Sequence, residues 1–90
     1  MNWNAGHLPA FIAVATHGGI SAAARLMGQP KSSISRIMNR LEEDVGLQLF
    51  LRGPREFTLT QDGMLFYKHA VQILEQVDAA SAELAGLGDA

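Results

Sequence analysis

One apolar stripe runs along the middle of the chain. Five apolar residues between positions 34 and 45 recur at the spacing of a single buried face of an α-helix: Ile34, Ile37, Met38, Leu41 and Val45. At 100° per residue, the opposite face is polar and consists of Ser32, Arg36 and Asn39, flanked by Ser33, Ser35 and Arg40. The pattern predicts an amphipathic helix over Lys31–Val45 that ends at Gly46, a residue suited to a left-handed cap.

Two shorter helices are predicted before this one. The first should begin at residue 6 or 7, because Pro9 is tolerated only in a first turn, and it should end before the glycine pair at 18–19. Its predicted buried face consists of Leu8, Phe11, Val14 and Ala15. Ser21 is expected to cap a second, alanine-rich helix over residues 21–27.

The pattern changes after Gly46. Residues 47–52 and 56–59 are candidate strands, and the glycine, proline and arginine between them are turn residues, so the pair is predicted to form a small hairpin. Three helices followed by such a hairpin form a winged helix-turn-helix. We therefore predict a mainly α protein with this fold.

A long helix is predicted after the hairpin, with Thr60 as its N-cap. Seven residues along it alternate in steps of four and three, an unbroken heptad pattern: Phe66, Ala70, Ile73, Val77, Ala80, Leu84 and Leu87. We interpret this seam as a coiled-coil dimer interface, the alternative being a core helix packed on the first helix. The predicted domains are a winged helix-turn-helix unit at 1–59, a dimerisation helix at 60–87 and a tail at 88–90, with 86–90 as a linker.

Composition and charge limit the possible functions. Ninety residues, 48% hydrophobic, suffice for one domain with a small core. A net charge of −2 argues mildly against a nucleic-acid binder. However, residues 1–41 carry four basic and no acidic side chains, whereas residues 69–90 carry four acidic side chains and no Lys or Arg. A positive local surface is therefore compatible with the acidic total.

Other classes of protein find little support. Cysteine is absent, which excludes disulfides and Cys-based zinc sites and fits a cytoplasmic location. The three histidines lack ligand spacing, and no Gly-rich phosphate loop is present, so we expect no metal, no cofactor and no enzymatic activity. The apolar run 8–15 is too short to span a bilayer and follows no basic segment, so neither a membrane anchor nor a signal peptide is predicted.

The segment AAARLMGQPKSSISRIMNRLEEDVGLQLF, followed by RGPR and LTQDG, resembles the N-terminal DNA-binding domain of LysR-type bacterial transcriptional regulators. The matching residues are Ala23-Ala24, Ser35-Arg36, Leu41-Glu42, Gly46, Leu49-Phe50, Arg52, and Leu59-Thr60 with Gly63. The likeness covers nearly the whole chain. Gln29 and Lys31 depart from the family's usual pattern, which has a small apolar residue and a Gln at these places.

The resemblance implies a homodimer that binds operator DNA and regulates transcription. The recognition helix would read the major groove through Lys31, Ser32, Ser33, Ser35, Arg36, Asn39 and Arg40. The second helix and the wing would contact phosphates or the minor groove through Ser21, Arg25, Arg52 and Arg55. It further implies antiparallel linker helices and a separate effector-sensing domain that is absent here, so we expect a DNA-binding fragment.

One alternative function remains open at this stage. A winged helix can serve as a protein–protein assembly module that does not bind DNA, and the acidic net charge is the best support for that interpretation.

Overall fold

The computed structural model describes residues 3–53 and 57–88, which form four α-helices and a two-stranded antiparallel sheet. The helices are α1 (Leu8–His17), α2 (Ile20–Met27), α3 (Lys31–Val45) and α4 (Gln61–Gly88). The strands are β1 (Phe50–Arg52) and β2 (Phe57–Leu59), and a short 3₁₀ turn, Ala5–His7, precedes α1. This order confirms the predicted winged helix-turn-helix with a long C-terminal helix.

Helix α3 begins and ends where the apolar stripe predicted. Gly46 closes it with a φ of 80°, and its N–H donates to the carbonyl oxygen of Glu42 at 2.8 Å. The buried side of the helix contains Ile34, Met38 and Leu41, none of which is more than 1% exposed. The alternation of buried and polar positions therefore suffices to orient this helix.

Helix α2 begins one residue earlier than expected. Gly19 is its N-cap, and Ser21 lies inside the first turn without a side-chain capping bond, so the prediction that Ser21 caps this helix is wrong. The extended backbone of Gly19 leads directly from the left-handed Gly18 into the helix, and its carbonyl accepts the N–H of Ala23 at 3.3 Å. The glycine pair therefore ends one helix and starts the next.

The core is centred on Phe11 of α1. Its ring lies 5.4 Å from that of Phe50 in β1, 5.1 Å from that of Phe66 in α4 and 6.4 Å from that of Tyr67, measured between centroids. The Phe11–Phe66 pair meets edge to face and the other two are tilted, and aromatic pairs at these distances add favourable contacts to the burial of their apolar area. Phe11 of α1 thus packs against both the wing and the long helix α4.

The wing is shorter than its sequence pattern suggested. Residues 47–49 are not in a strand: the carbonyls of Gln48 and Leu49 accept from Thr60, and the N–H of Leu49 donates to the Glu42 carboxylate. Thr60 donates its N–H to the carbonyl of Leu49 at 2.9 Å and its hydroxyl to the carbonyl of Gln48 at 2.6 Å. The strands pair Phe50 with Leu59 and Arg52 with Phe57. The predicted turn residues Pro54 and Arg55, with Glu56, lie outside the described residues.

Thr60 caps α4 as predicted, since its Oγ1 accepts the N–H of Gly63 at 2.9 Å. The helix continues through Gly88, so the linker predicted from residue 86 onward is helical up to that point. The predicted tail residues Asp89 and Ala90 lie outside the described residues.

The heptad seam of α4 divides into two parts. Ala70 is only 1% exposed, so its assignment to a dimer interface is wrong: it packs in the core of its own chain. Phe66 and Ile73 also pack against that core, and Phe66 makes an edge contact with Trp3 at 5.3 Å. From Val77 onward the seam is exposed. The core-helix interpretation therefore holds for the first half of the seam, and the dimer interface stays a prediction for the exposed second half.

Gly63 is required where α4 crosses the start of the wing. A Cβ at this position would overlap the carbonyl oxygen of Leu49, which already accepts the N–H of Thr60. It would also lie 3.1 Å from Cδ2 of Leu59. Neither the strand nor the helix can move without breaking the bonds of Thr60.

We therefore expect Gly63→Ala to lower the free energy of unfolding by about 1–3 kcal/mol, as overpacked sites do. The control is Gly86→Ala, a helical position with no heavy atom within 4 Å of the added Cβ. That change should raise stability by up to about 1 kcal/mol. Urea unfolding followed by circular dichroism, at one fixed protein concentration, measures both. A Gly63→Ala variant as stable as the wild type would contradict the close approach.

Candidate nucleic-acid interface

The face of α3 opposite the core is open to solvent. Five of the seven side chains predicted to contact DNA from this helix are exposed: Lys31, Ser32, Arg36, Asn39 and Arg40. Ser33 and Ser35 are half-buried at the flanks of that face. The structure therefore brings all seven to one helix and turns the cationic ones outward.

The turn between α2 and α3 holds the two helices as a helix-turn-helix. Gly28 adopts a φ of 64°, and the N–H of Gln29 donates to the carbonyl of Ala24 at 3.0 Å. Ala23 and Ala24 are buried, and their small side chains allow α2 to pack closely against α1 and α3. Ser21 and Arg25, predicted as flanking contacts, lie on the exposed side of α2.

The start of α3 carries no side-chain cap. Pro30 is its N-cap residue, and its carbonyl accepts the N–H groups of Ser33 and Ile34 at 3.1 and 3.3 Å. No acidic residue occurs in the first turn. The positive end of the helix dipole and the charge of Lys31 therefore add at the same place, which favours an anionic group of a ligand there.

The arginines of this region differ in what holds them. Nε of Arg40 lies 3.1 Å from Oδ1 of Asp44 one turn later, whereas Arg36 has no ion-pair partner within residues 3–53 and 57–88. The Arg40 side chain is 65% exposed, so this pair stabilises the fold by at most about 1 kcal/mol. Of the two arginines on this face, Arg36 is therefore the one that can contact a ligand without first breaking an ion pair.

The wing supplies one described cation, Arg52, because Arg55 lies outside the described residues. Nη2 of Arg52 donates to Oε1 of Glu42 at 2.6 Å, and its guanidinium carbon lies 5.4 Å from the ring centroid of Phe57. Arg52 is thus partly exposed but held on two sides by its own chain.

Glu42 is a residue to which sequence reasoning gave no role. Its Oε2 accepts the N–H groups of Leu49 and Phe50 at 2.8 and 3.2 Å, while Oε1 holds Arg52. The only signal in the sequence was its place in the family motif, since a contact between residues seven to ten positions apart across a turn has no periodicity. One carboxylate thus links the end of α3 to the first strand of the wing.

The exposed half of the α4 seam is the second candidate surface. Val77, Leu84 and Leu87 are 53%, 65% and 72% exposed, and Ala80 is exposed between them. These apolar side chains lie beyond the part of α4 that packs against the core. A stripe of this kind usually marks a surface that another chain covers.

In the part of the chain that the structure describes, no three His, Asp or Glu side chains come together as metal ligands. Among the described helices, none combines the length and the apolar character needed to cross a membrane.

Comparison with known proteins identifies the family. The family model described as "Bacterial regulatory helix-turn-helix protein, lysR family" matches residues 5–64, which is more than half of the chain. The chain therefore belongs to the LysR family. Among curated relatives, the HTH-type transcriptional regulator PtxR of Pseudomonas aeruginosa is 42% identical over 84 residues, covering 93% of this chain.

The solved structures agree with this assignment. The DNA-binding domain of BenM in a complex with catB site 1 DNA superposes with a TM-score of 0.93 at 30% identity, covering 97% of this chain and 98% of that one. The CbnR DNA-binding domain in a DNA complex gives a TM-score of 0.89 at 33% identity, covering 94% and 98%. By contrast, the chain spans only 27% of the length of PtxR.

Proposed function

We propose that this domain binds operator DNA sequence-specifically as the DNA-binding domain of a transcriptional regulator. In this proposal α3 enters the major groove, and the wing, residues 52–55, lies near the neighbouring minor groove. The observation that carries the proposal is the exposed face of α3, with Arg36 unpaired among the described residues, on a fold that superposes on two domains crystallised with DNA.

The residues have different proposed roles on DNA. Arg36 is the principal base reader, because a guanidinium can donate two hydrogen bonds to guanine in the major groove. Ser32, Ser35 and Asn39 can serve bases or phosphates beside it. Lys31, at the uncapped start of the helix, suits a phosphate. On the flanks, the proposed phosphate contacts are Ser21, Arg25, Ser33, Arg40, Arg52 and Arg55.

We further propose that two copies act together through α4. A single module makes few phosphate contacts and therefore binds weakly. The exposed stripe from Val77 to Leu87 gives a second copy an apolar surface to cover. Two modules joined in this way would contact two half-sites with two-fold symmetry. The domain division at residue 60 follows from this separation of roles.

The proposal includes three more general expectations, which concern the cellular location, the absence of catalysis and a separate effector domain. A bacterial regulator that binds operator DNA works in the cytoplasm, where the chromosome is. The domain acts by binding and not by catalysis, as expected for a family of transcriptional regulators. Because the chain spans about a quarter of its curated relatives' length, we place any small-molecule sensing in a separate effector domain of the whole protein.

The competing function, protein–protein assembly without DNA binding, rests on the acidic net charge. Four of the nine acidic residues, at 75, 78, 83 and 89, follow the last basic one. Three others, Glu42, Glu43 and Asp44, lie at the end of α3, where Glu42 and Asp44 pair with arginines. The start of α3 has no acidic residue, so a cationic surface there is compatible with the acidic total.

Selection of bound sequences from random duplex DNA, with the purified domain, tests the proposal directly. We expect enrichment of one motif with two-fold symmetry, since two modules would each read a half-site. Recovery of unenriched sequences would favour the assembly module instead.

Replacing Arg36 by Ala should weaken binding to the selected sequence by about 1–3 kcal/mol and relax the preference at one base pair. Fluorescence anisotropy with a labelled duplex measures the affinity. The matched control is Lys68→Ala, which also removes one exposed positive charge but lies on α4. If the two variants bind DNA equally well, Arg36 does not read bases.

The dimer is tested by placing charges on the exposed stripe. Val77→Asp and Leu84→Asp should convert a dimer to a monomer in sedimentation, because each would bury a carboxylate in an apolar interface. Ala79→Asp is the control, since residue 79 is exposed on the opposite side of the helix. A wild-type domain that is already monomeric at high concentration would rule out this interface.

A further inference from the structure

The Glu42 carboxylate bonds to two parts of the wing at once. Oε2 accepts the N–H groups of Leu49 and Phe50, which lead into β1, and Oε1 accepts Nη2 of Arg52, further along the same strand. The Glu42 side chain is only 17% exposed, so these charge-assisted bonds are partly shielded from water. The last turn of α3 and the first strand of the wing are therefore held as one unit.

Arg52 is restrained by this carboxylate and by an aromatic ring. It lies opposite Phe57 in the hairpin, and its guanidinium sits over that ring at 5.4 Å from the centroid. A guanidinium has five N–H donors, and the described contact with Glu42 uses a donor of Nη2 alone. The side chain is 43% exposed, so the remaining donors are available to a ligand while the arginine stays in place.

We propose that Glu42 is a positioning residue for DNA binding, which orients Arg52 so that its unused donors meet a phosphate beside the wing. The inference rests on the proposed function and adds a residue that itself does not touch DNA. A free arginine side chain loses rotamer freedom when it binds; one already held by Glu42 and Phe57 loses less. The carboxylate thus favours DNA binding although it carries the same charge as DNA.

The proposal predicts the direction in which DNA affinity changes when the charge of Glu42 is removed. Removing a negative charge near DNA should raise affinity through long-range electrostatics alone. Removing the charge of Glu42 should lower it, because Arg52 loses its orientation. Glu43 is the matched control: it is adjacent, exposed, and forms no ion pair in the described part of the chain.

The experiment compares Glu42→Gln with Glu43→Gln on a duplex recovered by selection. Glutamine at 42 can keep an oxygen toward Leu49 and Phe50 while turning an amide NH₂ toward Arg52, so it removes mainly the ion pair. We expect Glu42→Gln to lower affinity about threefold to tenfold, toward the lower end of the coupling between neighbouring residues. We expect Glu43→Gln to match or exceed the wild type. An increase for both variants would overturn the proposal.

A second arm separates positioning from a general loss of structure. In an Arg52→Gln background, Glu42→Gln should no longer lower affinity, and the slope of log affinity against log salt should fall by about one for either single variant. Additive effects, or an unchanged slope, would contradict action through Arg52. Unfolding curves accompany each variant.

If Glu42→Gln does not fold, Arg52→Lys decides the matter. It keeps the charge but loses the planar fork that can serve Glu42 and a phosphate together, so affinity should fall with Glu42 intact. Affinity equal to the wild type would overturn the proposal. If the wild-type domain does not bind DNA, the proposed function itself is wrong. That failure is distinguishable from failure of the positioning role of Glu42.

Discussion

The packing of the buried Phe11 ring is the interaction on which the rest of the structure depends. The ring is fully buried and meets rings from β1 and α4, two elements that are distant in sequence from α1. Since α1 also packs on α2 and α3, the same short helix fixes the helix-turn-helix, the wing and the long helix against one another. In a domain of this size a single core must serve every element, so the loss of one large buried side chain would affect all of them.

This arrangement leaves the polar face of α3 free. The core occupies one side of that helix with Ile34, Met38 and Leu41, and the turn at Gly28 keeps α2 to one flank. The wing is fastened at the other end, where Thr60 and Glu42 bond to the backbone between residues 48 and 50. The bonds of Thr60 and Glu42 therefore set the distance from the recognition helix to the wing, and neither they nor the core uses an exposed residue of the α3 face.

Periodicity in the sequence was enough to predict the helices, their buried faces and the bounds of α3, because these follow from local spacing and from glycine caps. It failed where contacts join distant residues. Residues 47–49 have the composition of a strand, but the carbonyls of Gln48 and Leu49 accept hydrogen bonds from Thr60. Ala70 fits the heptad seam, but α1 covers it. Glu42 has the appearance of one more charge on a helix, and only the folded chain brings it to Arg52. Ser21 has the chemistry of a cap, yet Gly19 takes that position.

The charge distribution explains how a weakly acidic chain can still suit DNA. Two of the arginines near the proposed interface are paired with carboxylates, Arg40 with Asp44 and Arg52 with Glu42, so each pair adds orientation and little net field. Lys31 and Arg36, without ion pairs among the described residues, carry most of the remaining attraction on α3. A module with so few uncompensated charges gains little from non-specific DNA. In the proposed dimer, affinity comes from oriented contacts and from the second module. The small number of uncompensated charges weakens binding by one domain and favours selective binding by two.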